Sequence, residues 1–196
     1  MKNVVLTSED ALIVADIQND FLPGGRLAVS NGHGIIGTVN QYIKKFTNAK
    51  RPVFATRDWH PPNHCSFEQQ GGPWPVHCVA GTTGAAFSRA LKLPDDVRIV
   101  SKARDRDKEA YSAFSGTTLH EQLKQLSIRR LFVCGLATEY CVLNTVKDAI
   151  ACGHTVFLLQ DAIRAIDAQP NDGSRAIEQM KQWGVEAVTV QQIMDD

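Results

Sequence analysis

The sequence predicts an α/β fold of three layers, α/β/α, around a mostly parallel sheet of about six strands. Three observations predict it. Short apolar runs alternate along the chain with segments of helical period, the pattern of repeated strand–helix units. The strand runs are largely apolar rather than alternating, as a sheet covered on both faces requires. The chain has 196 residues, 43% hydrophobic and 21% charged, which suits one domain with a full core and not a disordered chain.

The elements follow in order. Residues 11–17 read as a buried strand, followed by a loop rich in Asp, Pro and Gly over 20–25. Residues 35–48 have helical periodicity, and 52–58 form the second strand. The third strand, 97–102, comes after a long irregular stretch. A helix over 117–126, a strand over 130–136 and a helix over 139–152 come next. The fifth strand is 155–160, then a helix over 173–183 and a last strand over 186–190. A single domain spans 1–196, with no repeat, linker or low-complexity tract. Residues 59–96 break the rhythm: they hold five of the eight prolines and two of the three tryptophans. An irregular stretch of that length inside a compact domain is usually functional or disordered, and its aromatics and histidines favour function.

Composition narrows the function classes. Lys+Arg and Asp+Glu both number 21, a formal net charge of zero. That balance argues against nucleic acid or an anionic membrane as the main partner and points to a small substrate. No apolar run is long enough to span a bilayer, and the first ten residues lack the apolar stretch of a secretory signal. The five cysteines, Cys65, Cys78, Cys134, Cys141 and Cys152, form no CxxC pair. An odd, irregular set argues against a disulfide scaffold or zinc knuckle. A cytoplasmic setting is expected, where a lone thiol can serve as nucleophile.

Ligands of open parallel sheets bind beyond the carboxyl ends of the strands. Strands one to four bring Asp16, Asp58, Lys102 and the turn before Cys141 to that edge; Asp161 follows strand five. Singly, each reads as a solvated loop residue or a cap; together they read as a site. Cys141 falls where a turn opens a helix. There the helix dipole favours thiolate, and free N–H groups can stabilise an oxyanion. Cys134 and Cys152, mid-strand and late in a helix, read as packing residues. A thiol attacking an amide needs a group to take its proton and pass it to the leaving nitrogen. Asp16 can do this if burial raises its pKa, with Lys102 holding it. A structural Asp16–Lys102 salt bridge is the competing reading.

Asp58-Trp59-His60 and the distant His77 supply one carboxylate and two imidazoles, a set that suits zinc, iron or manganese with open positions left over. Ser66 offers a weak or water-mediated fourth contact. His64 is left out of the set, and His33, His120 and His154 read as surface residues. On residues alone the attacking group stays open between the Cys141 thiol and a metal-bound water. A nucleotide-binding module would want a glycine-rich turn after strand one; Asp16-Ile17-Gln18-Asn19-Asp20 stands there instead, and its carboxylates would repel a phosphate.

Five blocks carry a family resemblance: Asp16-Ile17-Gln18-Asn19-Asp20-Phe21, Asp58-Trp59-His60-Pro61, Trp74-Pro75-Val76-His77-Cys78, Tyr111-Ser112-Ala113-Phe114 and Gly135-Leu136-Ala137-Thr138-Glu139-Tyr140-Cys141-Val142. In type and order the chain resembles the nicotinamidase branch of the isochorismatase-like hydrolases. The resemblance implies that family's fold and a catalytic triad of Asp16, Lys102 and Cys141. It implies an oxyanion hole from the N–H groups of Ala137 and Cys141, with a cis peptide between Leu136 and Ala137. It implies a pyridine-ring pocket of Phe21, Trp74 and Tyr111. One divalent metal ion is implied on Asp58, His60 and His77, with Ser66 at a variable fourth position; zinc is expected, with iron or manganese as alternatives. The implied reaction is hydrolysis of nicotinamide to nicotinate and ammonia through a cysteine thioester, in NAD salvage, with the metal anchoring the ring and pyrazinamide-type analogues also accepted. The alternative is a metal-independent amidase or isochorismatase-like hydrolase of another small substrate. A homodimer is the expected assembly. The family's usual Lys-Gly is Lys102-Ala103 here, which bears on the backbone after Lys102.

Overall fold

The computed structural model describes residues 3–194. Its centre is a six-stranded sheet in the order β4-β3-β2-β5-β6-β7. The strands are β2 (Asp10–Ala15), β3 (Val53–Asp58), β4 (Arg98–Lys102), β5 (Arg130–Leu136), β6 (Thr155–Arg164) and β7 (Glu186–Val188). Every neighbouring pair is parallel. Two short strands that the residue pattern does not announce, β1 (Val4–Val5) and β8 (Ile193–Met194), pair with each other in a separate parallel ribbon.

All six residues of β2 are buried, which explains its unbroken apolar run behind Asp10. That aspartate is fully buried because Arg130 grips both carboxylate oxygens, Nε to Oδ1 at 2.5 Å and Nη2 to Oδ2 at 2.5 Å. The helices cover the two faces. Helix α1 (Ile36–Asn48) buries Val39, Tyr42, Ile43 and Phe46 in one core with Leu12, Val14 and Phe132. On the other face α2 (Leu119–Gln125), α3 (Leu143–Ala151) and α4 (Asp172–Gln182) contribute Leu123, Val146 and Met180 to a second core with Ile13, Val133 and Leu158. Fully burying side chains of this size stabilises by roughly 1.5–3 kcal/mol each.

The chain runs outward from β2 through β3 to β4, then restarts on the other side of β2 with β5. The crevice between β2 and β5 is therefore the topological switch point, where open α/β sheets bind ligands. Two backbones meet there tightly. Gly135 pairs with Ala15, has φ +114°, and a Cβ on it would lie 2.0 Å from the Ala15 carbonyl oxygen. Only glycine fits both the dihedral and the space.

Three details differ from the residue pattern. β6 runs on to Arg164, so Asp161 lies inside the strand, bonded to the Tyr42 hydroxyl at 2.7 Å. The helix expected over 139–152 opens as a π-helical turn, Thr138–Val142, before α3 begins. His154 is half-buried rather than on the surface, with Nε2 lacking a partner.

Candidate active site

The side chains of Asp16, Asp58, Lys102 and Cys141 converge at the carboxyl edge of β2 to β5, all buried. Asp16 directly follows β2 with φ +48°, a left-handed conformation that non-glycine residues rarely adopt. Its Oδ1 accepts from the Thr56 hydroxyl at 2.6 Å on the adjacent strand. Lys102 ends β4 and places Nζ 3.0 Å from Asp16 Oδ2 and 3.4 Å from Cys141 Sγ. The same ammonium also donates to Asp58 Oδ1 and to the Ala110 carbonyl. One lysine thus balances two carboxylates, and Asp58 belongs to both constellations the residue pattern separated.

Burial raises the Asp16 pKa above the ordinary aspartate value; the Lys102 charge opposes this and Asp58 reinforces it. For Lys102, burial disfavours the charge, but Asp16, Asp58 and Cys141 together outweigh it and keep the ammonium protonated. The Cys141 thiol is pushed up by burial, against Lys102 and with Asp16 and Asp58. Burial and two nearby carboxylates thus oppose the thiolate, while Lys102 and the expected helix dipole favour it. Activation of the thiol needs a base, and Asp16, paired through Oδ2 with the Lys102 ammonium, is the carboxylate in hydrogen-bonding contact with the thiol.

Asp58, His60 and His77 form a buried group whose ligand atoms all lie within 4.8 Å of one another. Backbone pairing explains how residues 17 apart meet: His60 N–H donates to the Cys78 carbonyl at 3.1 Å, and His60 bridges Val79. His60 Nδ1 faces the Ala103 carbonyl at 3.3 Å, and His77 Nδ1 faces the Pro75 carbonyl at 2.7 Å. A carbonyl only accepts, so both rings carry a proton on Nδ1, and Nε2 is the nitrogen left for another partner. His60 Nε2 is buried with no hydrogen-bond partner, 3.7 Å from Asp58 Oδ2. Burial, then His77, His64 and Lys102, hold its pKa down to about 2, so the ring is neutral. Imidazoles tied at Nδ1 beside a carboxylate are the donor set a divalent cation needs. The residues fit such an ion.

Ser66 and His64 make a different arrangement. His64 Nε2 donates to the Lys108 carbonyl at 3.0 Å, so its Nδ1 accepts from the Ser66 hydroxyl at 2.7 Å. Both His64 nitrogens are therefore occupied. Phe67, which residue reasoning passed over, packs edge-on against His60 and His77 with centroids 5.3 and 5.6 Å away.

Phe21, Trp74 and Tyr111 line one cleft with Asp58, His77, Ala137 and Cys141. Trp74 Nε1 donates to the Tyr111 hydroxyl at 2.8 Å. Leu27, Tyr140 and Ile166 complete the lining and were not expected from the residue pattern. Tyr140 follows Glu139 in an expected block, and its ring lies 5.0 Å from Trp74 and 5.5 Å from Tyr111. Gln18, also overlooked, holds Asp58 by both backbone groups, at 2.7 and 2.8 Å. The Leu136–Ala137 peptide is cis, as the resemblance implied, and both residues are buried. Ala103, in the family's usual glycine position, has φ +51°.

The family model for the isochorismatase domain matches residues 10–192, and the chain belongs to that family. Among relatives, the nicotinamidase of Acinetobacter baylyi is 36% identical over 94% of this chain and 94% of its own. The crystal structure of a pyrazinamidase of Pyrococcus horikoshii in complex with zinc is 51% identical, with a TM-score of 0.89 over 92% of this chain and 99% of that one. A protein from L. infantum, crystallised with nicotinate, is 34% identical with a TM-score of 0.89 over 99% of this chain and 100% of its own.

Proposed function

We propose that this protein is a cysteine amidohydrolase that converts nicotinamide to nicotinate and ammonia, a step of NAD salvage, and that it also accepts pyrazinamide-type analogues. The carrying observation is that one cleft is lined by Cys141, Asp58, His77 and an aromatic wall of Phe21, Trp74 and Tyr111. The names of its relatives, nicotinamidase and pyrazinamidase, support the substrate. A flat heteroaromatic ring suits such walls.

Asp58, His60 and His77 would hold one divalent cation, with zinc the first choice for two imidazoles and a carboxylate. Bound there, it supplies a Lewis-acid anchor for the ring nitrogen and so orients the amide. Ser66 would offer a weak or water-mediated fourth contact, since its hydroxyl donates to His64 and keeps its lone pairs. Asp16 takes the Cys141 proton as the sulfur attacks the carboxamide carbon. The N–H groups of Ala137 and Cys141 receive the oxyanion. Asp16 gives its proton to the departing nitrogen, ammonia leaves and a thioester remains. Water, deprotonated by Asp16, attacks that thioester; the C–S bond breaks and the sulfur recovers a proton. Lys102 holds Asp16 and offsets the charge of the forming thiolate.

The test is ammonia release from nicotinamide before and after exhaustive chelation, with parallel acid-quench trapping of the acyl-thioester. Release that chelation abolishes, with a labelled adduct on the Cys141 peptide, is the expected result. No turnover of nicotinamide by metal-loaded protein would refute the substrate; turnover without an adduct would refute the thiol nucleophile.

A further inference from the structure

Glu139 sits two residues before Cys141 in the π-helical turn, and the reaction above gives it no part. Its Oε1 accepts two consecutive backbone N–H groups, those of Ile166 and Asp167, each at 2.8 Å. Two successive amides converge on one acceptor only where the backbone curls into a nest, with the second residue left-handed. Asp167 has φ +53° and meets that requirement. The loop after β6 is tied on at its far end too: Asp167 Oδ1 accepts from the Gly173 N–H at 2.9 Å in the first turn of α4. That junction is close-packed, since a Cβ on Gly173 would meet Ala165 Cβ at 2.4 Å. Between these ties, Ile166 lines the same cleft as Cys141.

We propose that Glu139 is a positioning residue for substrate: its carboxylate clamps the 166–167 backbone to the nucleophile turn and so sets Ile166 as one wall of the substrate pocket. The turn carrying the nucleophile and the wall facing the ring are then one rigid unit. Substrate size is read against a side chain whose position the nucleophile's own turn dictates. Glutamate reaches because it lies on the turn itself, and a charged acceptor makes the stronger bond to a pair of amides. The Glu139 Oε2 atom is buried without a partner, so burying this carboxylate is repaid through Oε1 alone. The proposal concerns the same cleft and rests on the hydrolase reading for its kinetic part, but not for its structural part.

The experiment compares Glu139→Ala, Glu139→Gln and Ile166→Ala in the metal-loaded protein. Two readouts are used: amide hydrogen exchange at Ile166 and Asp167, and KM against kcat for nicotinamide. Glu139→Ala is expected to speed exchange at both amides at least about tenfold, the scale of a lost charge-assisted hydrogen bond. It should raise KM about tenfold with kcat changed less. Glu139→Gln keeps an acceptor and should restore most of the protection and the KM. Ile166→Ala should raise KM by a similar factor while both amides stay protected. Unchanged exchange in Glu139→Ala, or an unchanged KM in Ile166→Ala, would overturn the proposal. Should Glu139→Ala not fold, Glu139→Gln, whose neutral acceptor makes the weaker bond, should still speed exchange at both amides about threefold; unaltered exchange there, or a KM unmoved in Ile166→Ala, overturns the clamp. Exchange needs no substrate, so a chain inactive on nicotinamide leaves the clamp itself testable.

Discussion

The two ends of the sheet each bury an aspartate against a cation, and they do so in opposite ways. At the amino end, Asp10 has every oxygen matched: Arg130 binds it through two nitrogens, and the Thr7 N–H donates to Oδ2 at 2.7 Å. At the carboxyl end, one lysine serves two carboxylates, reaching Asp16 Oδ2 at 3.0 Å and donating to Asp58 Oδ1, and a thiol stands 3.4 Å from the ammonium. A matched pair holds position and has no proton to trade. A cluster in which one cation is shared by two carboxylates and a thiol keeps its members near the point of exchanging a proton. The same residue types therefore make a strut at one end of the β-strands and a reactive edge at the other.

Substitutions can break this contrast or sharpen it. The largest effect is expected for Cys141→Ala, which should cut ammonia release by at least about a thousandfold, as loss of a covalent nucleophile does. Its thermal midpoint should stay near that of the parent; turnover within tenfold of the parent would end the thiol assignment. Next comes His60→Ala, which removes the orphaned Nε2. Metal content after dialysis should fall to background and activity should fall with it, while a variant that retains stoichiometric metal would place the ion elsewhere. Asp10→Ala should show the reverse profile. Denaturant unfolding should register a loss of about 2 kcal/mol, below the usual figure for a broken buried pair because Arg130 reaches solvent. Its turnover per folded molecule should be unchanged, and a selective activity loss would erase the distinction between the two ends. The smallest effect belongs to Ala103→Gly. It relieves a left-handed alanine and should stabilise by no more than about 1 kcal/mol, since glycine's extra unfolded-state freedom offsets part of the gain. A clear destabilisation would show that the Ala103 methyl matters to the carbonyl that faces His60 Nδ1.

Much of the site was legible because it lies at strand ends. A strand is a ruler: once 11–17, 52–58, 97–102 and 130–136 read as parallel strands, Asp16, Asp58, Lys102 and the turn to Cys141 must share an edge. The resemblance blocks added Phe21, Trp74 and Tyr111, and the cleft contains all three. Less legible were partners supplied by distant segments. Nothing in the local pattern around Ile166 says that it faces Cys141, because Glu139, 27 positions earlier, holds it there. Phe67 reads as one apolar residue in an irregular stretch until it is seen against two imidazoles.

By itself, then, the sequence determined the layered parallel fold, the edge on which the chemistry sits and the residue types gathered there, because periodicity and apolar runs are local and strand ends follow from them. Only the tertiary structure decided which of those groups are paired and which are left wanting. It alone shows Lys102 shared between Asp16 and Asp58, burial pushing the Cys141 thiol's pKa up, the His60 and His77 rings held at Nδ1 by backbone carbonyls, and the Ser66 hydroxyl donating to His64. The physical reason is that desolvation and hydrogen-bond satisfaction belong to the space between elements. A pKa or a free lone pair is set by neighbours from four strands and an irregular loop, and no window of the chain contains them all.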